Sequence, residues 1–173
     1  MSNVAQPDAT CGPIMNKRAI TLVFLGCAGF ALVLLWPLVR AARQERSVLR
    51  FTTERSEEML RTYEFIEQFV EETHQPPRSV NELCTRFPPL VEIVYDAAAK
   101  QPKYRFNWVA YARGGTEVFC ADTGIPPELS RGLNTAQVEL ARTAMDAQGR
   151  VWCLGNVDRN QVSALSDQYT PGQ

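Results

Sequence analysis

Histidine is all but absent from this chain: His74 is the single one in 173 residues. That excludes most zinc-type clusters and leaves a cysteine or serine nucleophile without its usual base. No CxxC pair, Gly-rich phosphate loop or basic stretch interleaved with aromatics occurs either. Lysine and arginine (18) nearly match aspartate and glutamate (19), so a net charge of -1 gives no electrostatic case for nucleic acid. Carboxylates do stand in pairs, Glu57–Glu58 and Glu71–Glu72, but adjacent residues on a helix point in different directions and make a solvated face. Asp122-Thr-Gly124 is one copy of a commonplace turn triplet. These absences predict no catalytic group, no metal and no cofactor, and the chain does not read as an enzyme. His74 reads as structural, a cation at the negative end of a helix dipole.

Charge is missing altogether from residues 19–39, an apolar run of 21 in which Thr21 is the only hydroxyl. At about 1.5 Å per residue such a helix just crosses a hydrocarbon core of roughly 30 Å. No polar stripe marks it as a buried soluble helix, and Trp36 stands near one end, where a lipid interface suits it. The sequence therefore predicts a disordered leader over 1–18, a transmembrane helix over 19–39, an α+β domain over 40–154 and a flexible C-terminal tail over 155–173. Phe24-Leu25-Gly26-Cys27 has the spacing of a lipobox, although the apolar run continues for another 12 residues beyond that cysteine.

Glycine and proline are absent from Leu38 to Gln75, which predicts one helix running out of the membrane through about 55 residues, kinked at Pro37. Met59, Tyr63, Ile66 and Val70 recur at helical spacing, widened by Phe65 and Phe69, and form the face a sheet would cover. Pro76 and Pro77 end that helix, and Ser79 with Glu82 has capping-box spacing for a second. After an irregular stretch to Pro102, alternation in Tyr104-Arg-Phe-Asn-Trp-Val-Ala-Tyr111 predicts a strand. Gly114-Gly115 then predicts a hairpin turn into residues 116–121. A short helix is expected from Asn134 or Thr135 through Met145, and a third strand over 151–154. Cys120 and Cys153 fall on two of these strands and are a disulfide candidate, with Cys84 a competing partner for either.

Two stretches carry a family resemblance. Lys17-Arg18-Ala19-Ile20-Thr21-Leu22-Val23-Phe24-Leu25 resembles the start of type IV pilins and type II secretion pseudopilins. There a basic leader ends in Gly, a dedicated peptidase cuts after it, and the mature chain opens Phe-Thr-Leu-Ile/Val-Glu. Arg18, Thr21, Leu22, Val23 and Leu25 match that frame. Ala19 stands at the Gly position, Ile20 at the Phe position, and Phe24 where the family has the Glu that pairs with a neighbouring subunit's amine. Farther on, the order from Tyr63 to Leu83 is similar to the family's tyrosine-bearing helix, polar turn and Pro-x-Ser-x-x-Glu-Leu.

The resemblance implies a pilin-like fold, with a long N-terminal helix, half transmembrane and half amphipathic, packed on a small antiparallel sheet. It implies cleavage between Ala19 and Ile20, assembly through Thr21, Leu22, Val23, Phe24 and Leu25, and a minor-pilin or pseudopilin role. Its partners would be membrane lipid, other pilin-like subunits and pilus or secretion machinery. It also places the chain in the inner membrane with its domain outside the cytoplasm. Basic residues are more numerous after the span (Arg40, Arg43, Arg46, Arg50) than before it (Lys17, Arg18), which on the positive-inside rule favours the opposite orientation. The rival expectation is a single-pass anchored sensor or binding module that never assembles.

Overall fold

A computed structural model describes the backbone of residues 17–172 and the side chains of residues 33–172. The chain is α+β, with a long N-terminal helix and small antiparallel sheets. Helix α1 covers Lys17–Thr73 and runs through Pro37. Compact packing divides the chain into two units between Arg43 and Gln44. In the first unit the described side chains of α1 are solvent-facing, including Val33, Leu34, Leu35, Trp36, Leu38 and Val39.

In the second unit α1 supplies one wall of the core. Met59 and Ile66 are fully buried and Phe69 nearly so, while Tyr63, Phe65 and Val70 pack at the edge of the same cluster. Thr62 is also buried on this face, because its hydroxyl donates back to the Glu58 carbonyl at 2.9 Å and arrives already satisfied. The helix stops after Thr73: His74 adopts a left-handed φ of 57° while its N–H still reaches the Val70 carbonyl at 2.8 Å. Ser79 caps α2 (Val80–Arg86) by accepting from the Glu82 N–H, and Glu82 reaches back to the Arg78 N–H, one residue beyond the usual capping box. A short helix α3 (Leu90–Val94) leads into a two-stranded hairpin, β1 (Tyr95–Asp96) with β2 (Gln101–Pro102).

The main sheet is a four-stranded antiparallel meander in chain order: β3 (Tyr104–Phe106), β4 (Val118–Asp122), β5 (Thr143–Asp146) and β6 (Val151–Cys153). One face, with Tyr104, Phe106, Cys120 and Met145, meets α1. A bulge between Val118 and Cys120 lets Phe119 join that same face. The other face, with Val118, Ala121 and Ala144, is covered by Leu154, Leu165, Val157 and Val162.

Four expectations are corrected here. The strand expected over 104–111 ends at Phe106. Asn107 accepts the Ala110 N–H and starts helix α4 (Trp108–Arg113), so β3 and β4 are joined by a helix rather than a Gly114-Gly115 hairpin. The helix expected through Met145 is α6 (Thr135–Ala141), capped by Asn134. A shorter helix, α5 (Pro127–Ser130), precedes it. Thr143 to Asp146 are fully buried and hydrogen-bonded on both sides, which makes them a central strand and overrides their helical propensity. Cys120 and Cys153 lie on strands separated by β5, roughly 9.5 Å apart at normal strand spacing and beyond disulfide reach; these two and Cys84 are free thiols.

Lastly, the C-terminal segment is part of the fold. It forms a 3-10 turn (Leu154–Asn156) and α7 (Arg159–Ser163), then adds Asp167 as a bridge along the outer edge of β3. The Asp167 carboxylate accepts the Trp108 indole N–H at 2.6 Å and the Val80 N–H at 2.7 Å.

Two substitutions test this packing. A Cβ at Gly149, which has φ +75°, would lie 2.8 Å from the Tyr63 ring. Gly149→Ala is expected to lower unfolding stability by about 2–4 kcal/mol, whereas Gly124→Ala, which meets nothing within 4 Å, should be near neutral; denaturant titration distinguishes them. Asp167→Ala leaves the Trp108 and Val80 donors without their acceptor and is expected to cost about 2–4 kcal/mol. A loose tail would give no change in the same titration.

Candidate functional site

The residues singled out from sequence fall in three places. Ala19, Ile20, Thr21, Leu22, Val23, Phe24 and Leu25 belong to the helical backbone of α1, and their side chains lie outside the described residues. The same holds for residues 19–32 of the expected span. Among the described residues, no helix is long and apolar enough to cross a membrane. Met59, Tyr63, Ile66 and Val70 are brought together against the sheet. Cys120 and Cys153 are not brought together.

In the first unit, the stretch of α1 from Val33 to Val39 is apolar and exposed. Val33 is 70% and Leu38 66% exposed, and Leu34, Leu35, Trp36 and Val39 are exposed to a lesser degree, down to 44% at Val39. Val39 is followed immediately by Arg40 and, after two alanines, Arg43. These two arginines, Trp36 and Val39 line a small cleft of about 190 Å³.

Within the second unit, a charged cluster joins α1 to β3. The Glu58 carboxylate accepts from Lys103 Nζ at 2.7 Å, the Tyr104 hydroxyl at 2.7 Å and Arg55 Nη1 at 2.8 Å. The Arg55 guanidinium also lies 5.0 Å from the Phe51 ring centre and 5.5 Å from that of Tyr104. Burial works to raise the Glu58 carboxyl, but hydrogen bonds from Lys103 and Tyr104 and the charges of Lys103 and Arg55 together bring it below its ordinary range. Burial drives Tyr104 far up, so it stays a neutral donor. Sequence reading missed this cluster because Glu58 and Lys103 are 45 residues apart. The available signal was Lys103 itself, a lysine directly before a predicted buried strand.

Asp122 forms a second buried centre. Its carboxylate accepts from Arg142 Nε at 2.8 Å and from the Thr143 N–H at 2.7 Å. Burial raises its carboxyl, and Arg142 with the Thr143 amide only partly offsets that. Asp146 holds the β5–β6 turn by accepting from the Gln148 and Arg150 N–H groups, Arg150 Nε and the Trp152 indole. Burial pushes the Cys84 thiol up to about 12 and raises Cys120 as well, so both are protonated at neutral pH. Two open grooves, about 610 and 670 Å³, lie on either side of Arg105 and Thr123 and share both residues. Among the described residues, no group of three or more His, Cys, Asp or Glu is placed to hold a metal ion.

No family model, curated protein or solved structure matches this chain.

The Glu58 cluster has a pH signature. Because the folded carboxyl titrates below its ordinary value of 4.5, its contribution is complete above that value. It is lost as pH falls through the depressed folded value. Glu58→Gln is therefore expected to weaken the protein near neutrality and to flatten its loss of stability below about pH 4.5. Urea midpoints taken from neutral pH into the acid range would show this as converging curves; parallel curves would mean that Glu58 is not coupled to folding.

Proposed function

We propose that this chain is a membrane-anchored, pilin-like structural subunit, of the minor-pilin or pseudopilin kind, that acts by helix-mediated assembly. The observation that carries the reading is on α1. Large apolar side chains stand exposed from Val33 to Val39, and the same helix continues into a face buried on a four-stranded antiparallel meander. An apolar surface of that kind needs hydrocarbon or sister helices around it. The helix, the turn at His74 and the Ser79-capped α2 follow the order of the pilin motif from Tyr63 to Leu83. In this reading residues 19–39 form the transmembrane half, Ile20 to Leu25 form the assembly end, and the sheet domain faces away from the cytoplasm. The partners are lipid, sister subunits and the machinery of a pilus or secretion apparatus.

A second reading, a single-pass module that binds a ligand without assembling, draws on the two open grooves beside Arg105. One measurement separates the two. The native N-terminus is determined by mass spectrometry in cells with and without a prepilin peptidase. A processed pilin-class subunit starts at Ile20, and that start disappears when the peptidase is removed. A start at Met1 or Ser2 in both strains sinks processing and leaves the anchored binding module.

A further inference from the structure

Successive residues of an α-helix turn by about 100°, so six apolar side chains between Val33 and Val39 point to every side of α1. All six are exposed. A partner docked on one side would leave most of them in water, whereas hydrocarbon covers them all. The first charges after them are Arg40 and Arg43, and no Asp or Glu occurs between Asp8 and Glu45, so this stretch is locally positive. Trp36 and Arg40 are four residues apart, as are Val39 and Arg43, which puts the four on one helix face. They line a single cleft. An indole favours the depth of the lipid headgroups. A guanidinium one turn farther along can bury its stem on apolar surface and present a fork of N–H donors to phosphate oxygens.

We infer that Trp36, Val39, Arg40 and Arg43 form a headgroup-level site for the phosphate of an anionic phospholipid. The inference rests on the membrane-anchored part of the reading above. It adds that the anchor selects lipid by charge as well as inserting. The zwitterionic headgroup of phosphatidylcholine carries a cation that competes with the two arginines, while phosphatidylglycerol carries none. With two arginines at the surface the preference is on the order of tenfold.

The full chain, in mild detergent, is offered equal amounts of phosphatidylglycerol and phosphatidylcholine, and the retained lipids are counted by native mass spectrometry. Flotation with vesicles of each lipid is measured in parallel. The expected result is an enrichment of phosphatidylglycerol on the order of tenfold, reduced to near parity in Arg40→Gln/Arg43→Gln and retained in Arg61→Gln/Arg78→Gln. Equal retention by the native chain overturns the headgroup site and leaves the anchor standing. So does an enrichment unchanged by Arg40→Gln/Arg43→Gln, or one lost equally in Arg61→Gln/Arg78→Gln. Failure to float with either vesicle overturns the anchor and the headgroup site together.

Discussion

The burial of Met59, Ile66 and Phe69 against the sheet is the interaction on which the rest of the second unit depends. A meander of short strands cannot keep one face wet when that face carries Tyr104, Phe106, Phe119 and Met145. It needs a helix of matching length, and a helix of this composition needs the sheet in return. Aromatic pairs extend the contact: Phe106 lies parallel to Trp108 at 5.2 Å, and Phe119 packs tilted against Tyr111 at 5.0 Å. The opposite face has a cheaper solution, since Val118, Ala121 and Ala144 are small and a few residues of the C-terminal segment suffice to cover them.

Charged groups then fix how this apolar sandwich is registered. Glu58 binds residues of β3 and of the segment before it, so sliding α1 by a turn would strand a partly buried carboxylate. Asp122 and Asp146 do the same work at the two ends of β5, one receiving its first N–H and the other ordering the turn that follows it. Each of these acids is held by more than one donor, which is how a buried carboxylate is tolerated.

Legibility in the sequence followed the range of the interaction. The face of α1, its stop before Pro76 and the Ser79 cap were readable because their determinants lie within a few residues of one another. β4 and β6 were readable as short β-rich runs. β5 was not, because Thr143 to Asp146 follow a well-capped helix and only two flanking strands make them extended. α4 hid inside an alternating pattern, since Asn107 caps a helix exactly where a strand would continue. The C-terminal segment looked polar and loose because its one indispensable side chain, Asp167, answers to Trp108 and Val80 far back in the chain. At the candidate site, the apolar stretch and its arginines were visible at once, while the Glu58 cluster was invisible until the fold brought its members together.

The late position of Asp167 has a consequence for biosynthesis. α1 leaves the ribosome before the strands that cover its apolar face, because those strands lie after it in the chain. The edge of β3 closes only when residues 165–170 have emerged, with Thr170 joining Asn81 at the end. At about 5–20 residues per second, the Met59 face spends several seconds without its sheet. During that interval Met59, Ile66 and Phe69 stand open to other apolar surfaces, so the incomplete chain is more prone to aggregate than the finished one.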